Sequence, residues 1–295
     1  MGEELTGVRL AVRGTTVAEY VLAPEIDPRW SPRPHLHPVR TLAGVPVTDT
    51  LPEDHRWHLG VSVAIQDVSG TNLWGGRTYL RGVGYTWRED HGRIVHDAWT
   101  APPDEPAGAV EPTEDGFAER LRWLDPAGRT LLVEQRRVRV GELPGSADAW
   151  LLDFAYTLTA PAGQDVVLGS PATNGRPGGA GYGGFFWRAA AGPTRAFTAG
   201  TDGEETANGS TEPWLALTGE PATGTAYTLV FTGLGAGDHW FVRTGGYPGV
   251  CVALAFERPL TIGAGSSLHR RHRVVVADGE LSRDRAAELV AGLPG

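Results

Sequence analysis

The histidines of this chain are unevenly distributed. Four of the nine lie between Arg33 and His58, where His35 and His37 are two residues apart and His55 and His58 are three apart. Alternate residues of a strand share one face, whereas a spacing of three suits a turn. Because imidazole titrates near neutral pH and also binds divalent metals, we predict that His37, His55 and His58 are acid/base groups or, if a metal is bound, its ligands. The spacing matches no strong zinc signature, and a structural hydrogen-bonding role is the alternative for each ring.

Three further segments combine turns with aromatic and charged side chains. A glycine-rich run at 174–184 leads into three consecutive aromatic residues, and two other candidates lie at 70–77 and 237–249. Aromatic rings can stack on sugars while charged groups bind hydroxyls, although surface loops and an aromatic core strand would give the same composition. The glycine spacing fits neither a phosphate loop nor a dinucleotide site, so no nucleotide cofactor is expected. The residues predicted to contact a ligand are Arg33, Arg40, Asn72, Trp74, Tyr182, Arg188, Asp238, His239 and Tyr247.

One carboxylate stands inside a predicted strand. Glu134 follows the apolar run Leu131–Val133, at the point where the sequence begins to alternate between apolar residues and arginines. This position favours an inward-facing side chain, and we therefore include Glu134 among the predicted catalytic residues. A pair with an arginine on the strand would explain the position equally well.

The elements that must position these residues are predominantly strands. Alternating segments are separated by turn signals rich in Gly, Pro and Asp, and the 41 Gly and 22 Pro are too many for a helical protein. One helix is predicted at about 282–293, where Ser282 can cap the first turn. We therefore predict an all-β fold: a large antiparallel β-sandwich formed by residues 1–295 as a single domain, with long loops at about 101–115 and 171–184 and one C-terminal helix.

Composition and charge narrow the function classes. The net charge of −9 argues against a nucleic-acid partner, because phosphate neutralisation requires a concentrated basic surface. No stretch approaches the roughly 20 apolar residues of a membrane span, and no signal peptide is recognisable, so we expect a cytoplasmic protein without a membrane partner. Cys251 is the only cysteine, which excludes an intrachain disulfide. The chain could form a homo-oligomer.

The histidine-bearing segment also resembles a known family. Residues 37–49 read HPVRTLAGVPVTD, Asp54 to Gly60 follow, and further similar stretches lie at 72–76 and 181–188. Together they resemble, over nearly the whole chain, the bacterial family labelled methane oxygenase PmoA-like. The resemblance implies a galactose-mutarotase-like supersandwich, similar to the aldose epimerases, and a role in carbohydrate catabolism that includes cleavage of oxidised glycosides. Methane oxidation is not expected, because the chain has no membrane segment.

The similarity to aldose epimerases has one departure. Their catalytic glutamate lies in the strand corresponding to Val250–Phe256, where this chain has Ala255 at the best-placed position and Glu257 two residues beyond. The prediction is therefore a carbohydrate-active enzyme, a lyase or hydrolase that cleaves a glycoside, with 3-keto glycosides as one substrate class that the resemblance implies. The alternatives are a non-catalytic carbohydrate-binding module, a mutarotase-like sugar epimerase and an assembly protein.

Overall fold

The computed structural model describes residues 7–101, 111–222 and 224–294, and strands dominate its regular structure. The strands are β1 Gly7–Val12, β2 Thr15–Val21, β3 His35–Val39, β4 Val61–Ala64, β5 Asp67–Val68, β6 Thr78–Leu80, β7 Gly84–Thr86, β8 Arg93–Trp99, β9 Gly116–Leu124, β10 Thr130–Glu142, β11 Ala149–Thr159, β12 Val166–Gly169, β13 Gly184–Arg188, β14 Thr194–Thr198, β15 Trp214–Gly219, β16 Tyr227–Thr232, β17 His239–Arg243, β18 Gly249–Ala253, β19 Leu260–Ile262 and β20 Ser267–Asp278. The helices are a 3-10 turn at Pro28–Trp30, α1 Glu204–Ala207 and α2 Arg283–Ala291. The predicted loop at about 101–115 lies largely outside the described residues, whereas the one at about 171–184 connects β12 to β13.

Two large antiparallel sheets enclose the core. One has seven strands in the order β1-β2-β3-β4-β13-β18-β17, and the other has eight in the order β14-β15-β16-β20-β11-β10-β9-β8. Trp123, Trp150, Trp187 and Trp240 are buried in the main cluster that both sheets contribute to. The smaller sheets are β19-β12-β5 and the hairpin β6-β7. The prediction of an all-β fold, a large antiparallel sandwich, is confirmed.

Strand β10 illustrates how the sequence specifies the sandwich. Val138 and Val140 are buried, and Arg139 between them is exposed, because successive side chains of a strand point to opposite faces. Val138 pairs with Phe117 of β9 on one side and with Phe154 of β11 on the other, so three neighbouring strands contribute apolar side chains at one level. The alternation read in the sequence is therefore the alternation between core and solvent.

Helix α2 covers the outer face of the eight-stranded sheet. The Ser282 side chain accepts the N–H of Arg285 at 3.2 Å, which caps the first turn as predicted. Ala286 and Leu289 are buried in a cluster that includes Trp214 of β15. The predicted C-terminal helix is confirmed, whereas the single turn α1 was not predicted because four residues show no periodicity. Within the described ranges, no helix is long and apolar enough to cross a membrane.

The outer face of the seven-stranded sheet carries a second apolar layer. In β13, Phe185 belongs to the main core, whereas the next residue, Phe186, faces the other way and clusters with Phe241 of β17. Trp74 and Tyr182, from loops that cross this face, pack on the same cluster. The sheet therefore presents an aromatic floor that loops surround.

Candidate functional site

A cleft of about 620 Å³ lies over this aromatic floor. Its volume falls within the range of small-molecule sites, about 300–1,000 Å³. Loops before and after β4, the β6-β7 hairpin and the loop before β18 form its walls. The residues that line it, which together define the aromatic cleft, are Trp30, Glu53, Asp54, His55, Arg56, Trp57, His58, Gln66, Trp74, Gly75, Arg77, Tyr85, Trp87, Arg176, Tyr182, Phe186, Phe241, Arg243, Tyr247 and Gly249.

Aromatic rings form much of the cleft surface. The ring centroid of Trp74 lies 4.7 Å from that of Phe186 and 4.6 Å from that of Tyr182. Trp57 and Trp87 meet edge to face at 6.4 Å, and Trp87 remains 45% exposed at the rim. Such rings offer flat apolar surfaces with polar edges, the combination that complements a sugar ring.

A hydrogen-bonded network occupies one wall of the cleft. Gln66 Nε2 donates to the Tyr182 hydroxyl at 3.0 Å, the hydroxyls of Tyr182 and Tyr85 lie 2.9 Å apart, and Arg176 donates to Tyr85. Burial raises the pKa of Tyr182 well above its usual value, so its hydroxyl stays protonated. Gln66 Oε1 is buried and accepts no hydrogen bond from any described residue.

His55 and His58 lie together at one end of the cleft. The backbone N–H of His58 donates to the carbonyl of His55 at 2.8 Å, which closes the predicted bend, and the two ring centroids are 4.8 Å apart. His55 Nδ1 lies 2.8 Å from Asp54 Oδ2, and the His55 ring is 4.4 Å from that of Tyr247. Because the carboxylate engages Nδ1, Nε2 is the nitrogen of His55 that can exchange a proton with a ligand.

His58 is the more buried of the two histidines, at 5% exposure. Its ring packs against Phe186 at 5.0 Å and edge-on against Trp74 at 5.8 Å, and none of the residues described bonds to its Nδ1. Burial lowers the pKa of His58 well below its usual value, and the neighbouring His55 and Arg188 side chains add to this effect. His58 is therefore neutral at neutral pH. The His55 side chain is less buried, with 25% of its surface exposed.

Two residues predicted to contact a ligand instead organise the loops of the cleft. Arg33 is fully buried and donates to the backbone carbonyls of Trp57 at 2.9 Å and Trp74 at 3.1 Å. Asn72 Oδ1 accepts the backbone N–H groups of Trp74 and Gly75 at 3.0 and 2.8 Å. Neither Arg33 nor Asn72 lines the cleft, but both hold tryptophan-bearing loops in place.

Arg188 lies behind the histidine end of the cleft. It shares a face of β13 with Phe186, and only 2% of its side chain is exposed. Its Nη2 is 3.4 Å from Asp49 Oδ2, whereas Nε and Nη1 have no hydrogen-bond partner in the part of the chain described. Burial lowers the pKa of Arg188 and the Asp49 charge opposes this, but a guanidinium remains charged at neutral pH. The charge is close enough to act on His58.

His37 is not part of the cleft. Its Nδ1 is 3.0 Å from Thr48 Oγ1, and burial lowers its pKa. Across residues 7–101, 111–222 and 224–294, no group of three His, Cys, Asp or Glu side chains is arranged to hold a metal ion. The structure therefore does not bring His37 together with His55 and His58 as the predicted ligand set.

Glu134 faces inward, but it faces the core and not the cleft. Arg136 binds its carboxylate through two hydrogen bonds of 2.7 and 3.0 Å, and the indole N–H of Trp123 donates a third at 2.8 Å. All three side chains are buried between the sheets. Burial raises the pKa of Glu134, and the neighbouring Arg136 charge opposes that rise. The alternative explanation offered for Glu134, an ion pair with an arginine on the same strand, therefore accounts for its inward position.

Three other predicted binding residues also lie outside the cleft. Asp238 is buried and accepts two hydrogen bonds from Arg270, of 2.6 and 2.9 Å. His239 stacks on Phe256 at 5.0 Å, and Arg40 directly follows β3. The predicted residues that the structure does bring to the cleft are His55, His58, Trp74, Tyr182 and Tyr247.

The position at which the resemblance to aldose epimerases would place a glutamate carries Ala255. Ala255 is buried, and its carbonyl accepts the Ser170 hydroxyl at 2.7 Å. Glu257 is exposed and does not line the cleft. The carboxylates of the cleft are Glu53 and Asp54.

Several cleft residues were not singled out in the sequence. They come from the 3-10 turn, the histidine bend and the β6-β7 hairpin, segments with no common motif. A signal that could have found them is the recurrence of adjacent arginine and tryptophan residues in turn-rich segments, at 29–30, 56–57 and 87–88. The cleft residues that were not singled out in the sequence include Trp30, Arg56, Trp57, Arg77, Tyr85 and Trp87.

Solved structures similar to this chain include several sugar enzymes. The GH36 α-galactosidase AgaA from Geobacillus stearothermophilus is 13% identical, with 96% of this chain and 42% of that chain covered and a TM-score of 0.36. The α-galactosidase from Lactobacillus brevis is 10% identical, with coverage of 97% and 40% and a TM-score of 0.38. A mutant of the heparan sulfate lyase HepC from Pedobacter heparinus is 10% identical, with coverage of 90% and 34% and a TM-score of 0.34. The chain thus spans less than half of the length of each.

At the level of sequence, no curated protein matches this chain. One family model does, described as a family of unknown function (DUF6807), and it matches residues 7–291. That range contains both large sheets, α2 and every residue of the aromatic cleft. The chain therefore belongs to the DUF6807 family.

Proposed function

We propose that the aromatic cleft is the active site of a carbohydrate-active enzyme that cleaves a glycosidic bond, with His55 as the residue that transfers the proton. The observation that carries the proposal is the carboxylate-bound imidazole of His55 and Asp54, which opens on a cleft walled by tryptophan and tyrosine rings. Neither feature alone would suffice, because aromatic clefts also bind without catalysis and histidine–carboxylate pairs also occur on inert surfaces.

Binding of a sugar is supported by the walls of the cleft. The rings of Trp57, Trp74 and Tyr85 supply flat apolar surfaces, and the side-chain amide of Gln66 is a polar group in the lining of the cleft. Tyr182 is held in place by Gln66 and Tyr85, so its hydroxyl is fixed before a ligand arrives. Preorganised polar groups reduce the entropy lost on binding.

Proton transfer is supported by the environment of His55. Asp54 holds Nδ1 and stabilises the imidazolium that forms when Nε2 takes up a proton. In an elimination, Nε2 would accept the proton of a carbon beside a carbonyl group. The C–H electron pair would form a carbon–carbon double bond, and the C–O bond to the leaving sugar would break. The leaving oxygen would then receive a proton, for which Tyr247 is the proposed donor.

A substrate with an oxidised ring suits this chemistry. A ketone at position 3 acidifies the neighbouring C–H, so an imidazole can remove the proton. Hydrolysis needs the same base to deprotonate water instead, with the oxygen of water attacking the anomeric carbon and the departing oxygen taking up a proton. The two reactions differ in their products: elimination gives an unsaturated sugar, and hydrolysis adds one water.

The test is turnover with matched histidine variants. The purified protein is incubated with neutral, 3-keto and uronate disaccharides, and products are identified by mass spectrometry. His55→Gln is expected to lower the rate at least about 100-fold, the usual contribution of general acid–base catalysis, while His269→Gln, on an exposed strand residue, leaves it unchanged. Retained circular dichroism shows that each variant is folded. An unchanged rate in His55→Gln would contradict the role of this residue.

A non-catalytic binding module is the second candidate, because the aromatic walls and Gln66 would serve such a module without His55. It predicts that calorimetry detects saccharide binding while no product forms from any of the disaccharides. It also predicts that His55→Gln weakens binding no more than other substitutions at the cleft surface.

A further inference from the structure

The charge of the aromatic cleft is opposite to that of the protein. The chain carries a net charge of −9, with acidic residues in excess. Four arginines line the cleft, against two carboxylates, Glu53 and Asp54. One oxygen of Asp54 is already engaged, because Oδ2 lies 2.8 Å from His55 Nδ1. The cleft arginines are Arg56, Arg77, Arg176 and Arg243.

Three of the cleft arginines lie against aromatic rings and not against carboxylates. Arg56 is 5.8 Å from the ring centroid of Trp30, Arg77 is 5.9 Å from that of Trp87, and Arg176 is 4.8 Å from that of Tyr85. Among the described residues, none of the three forms an ion pair with a carboxylate. Stacking fixes the plane of a guanidinium but leaves N–H groups available, and Arg176 uses one of its own to donate to the Tyr85 hydroxyl.

The fourth arginine is partly neutralised. Arg243 lies 4.3 Å from the ring centroid of Phe241, and its Nη1 is 3.4 Å from Glu204 Oε1. The excess positive charge of the cleft therefore comes chiefly from the other three.

A buried cation adds to the positive field. Arg188 lies behind His58, and its Nε and Nη1 have no hydrogen-bond partner among the described residues. A buried donor without a hydrogen-bond partner destabilises the folded protein, most of all when it carries a charge. Its charge is only partly offset by Asp49 at 3.4 Å. A low-dielectric cleft with charges of one sign concentrates ligands of the opposite sign.

We propose that the ligand of the aromatic cleft is an acidic saccharide, whose carboxylate is bound by the unpaired arginines. This inference rests on the proposed function and deepens it. Guanidinium groups bind carboxylates through paired N–H···O bonds, which hydroxyls of a neutral sugar cannot match. A sulfate ester would offer the same chemistry, and the experiment separates the two sources.

The test compares ligands that differ only in charge. Trimers of galacturonate, glucuronate and mannuronate are titrated into the protein by calorimetry, each beside its fully methyl-esterified form, a neutral galactose trimer and a sulfated galactose trimer. We expect at least one uronate trimer to bind about tenfold or more tightly than its ester, with an affinity that falls as salt rises. Arg77→Gln and Arg176→Gln should each weaken that binding about tenfold, whereas Arg285→Gln, on α2 and outside the cleft, should not.

The outcomes separate this inference from the proposed function. Equal or tighter binding of the esters and the neutral trimer would overturn the acidic specificity and leave the saccharide site standing. Binding of the sulfated trimer alone would overturn the carboxylate and assign a sulfate. If no trimer of either kind bound, both the acidic specificity and the saccharide site would be wrong.

Discussion

Acid should destabilise this protein through three buried histidines. Burial lowers the pKa of His35 to about 3 and that of His272 to about 4, and it lowers the pKa of His58 well below its usual value. Each ring binds a proton in the unfolded chain near pH 6.5 but not in the folded protein. Their contribution to stability is therefore fully present above about pH 6.5 and is lost as the pH falls below it.

The size of the effect follows from these shifts. At pH 5.5, one unit below the unfolded pKa, the His35 and His272 rings each lower the free energy of unfolding by about 1.4 kcal/mol relative to pH 7.5. Together these two rings lower it by about 3 kcal/mol, and the lowered pKa of His58 acts in the same direction. Carboxylates such as Asp27, whose pKa is lowered to about 2 mainly by hydrogen bonds from Arg29, titrate below this window and contribute little to the difference.

The measurement is urea unfolding at pH 7.5 and at pH 5.5, followed by circular dichroism. The variant His272→Phe keeps an aromatic ring between Tyr156 and Phe185, at 5.7 and 5.0 Å, and removes one titrating group. It should reduce the pH-dependent loss by about 1.4 kcal/mol. A total loss under about 1 kcal/mol, or a His272→Phe protein with the same pH dependence as the original, would refute the reasoning.

Three further substitutions test the remaining structural assignments by urea unfolding. Glu134→Gln should lower the free energy of unfolding by about 3 kcal/mol, because it leaves the Arg136 charge buried with a weakened partner. Saccharide binding should be unaffected, and a loss of binding without a loss of stability would show that Glu134 acts in the site. Arg33→Met should lower the free energy of unfolding by about 3 kcal/mol, since the buried carbonyls that Arg33 bonds lose their donor. It should also change the tryptophan fluorescence of the cleft, and a variant with unchanged stability and fluorescence would show that Arg33 does not hold the loops. Ser282→Ala should cost about 1 kcal/mol through the lost cap of α2, and no change would mean that the cap is not formed in solution.

Local patterns were enough to predict the type of fold. The alternation around Val138 and the capping position of Ser282 depend on neighbours in sequence, and both elements form where they were predicted. The bend between His55 and His58 is equally local, since one backbone hydrogen bond closes it. Such features are set by backbone geometry and side-chain periodicity, which a single sequence displays directly.

The membership of the cleft was harder to predict, because partners distant in sequence decide it. Asp238 looked like a ligand-binding residue, but Arg270, 32 positions later, occupies its carboxylate. Arg33 was predicted to bind a ligand, but its acceptors are the backbone carbonyls of Trp57 and Trp74, 24 and 41 positions away. The cleft arginines Arg56, Arg77 and Arg176 come from separate segments, so no local sequence motif predicts that they lie together.

The proposed position of the saccharide site can be tested directly by NMR of the histidine rings. The ring signals of the nitrogen-15-labelled protein are assigned with His→Gln variants, and the galacturonate trimer or the neutral galactose trimer is then added. If the aromatic cleft is the site, the signals of His55 and His58 will shift on titration, and those of His239 and His269, which lie outside the cleft, will not. Shifts confined to His239 or His269, or saccharide binding that leaves His55 and His58 unchanged, would contradict a sugar site in the aromatic cleft.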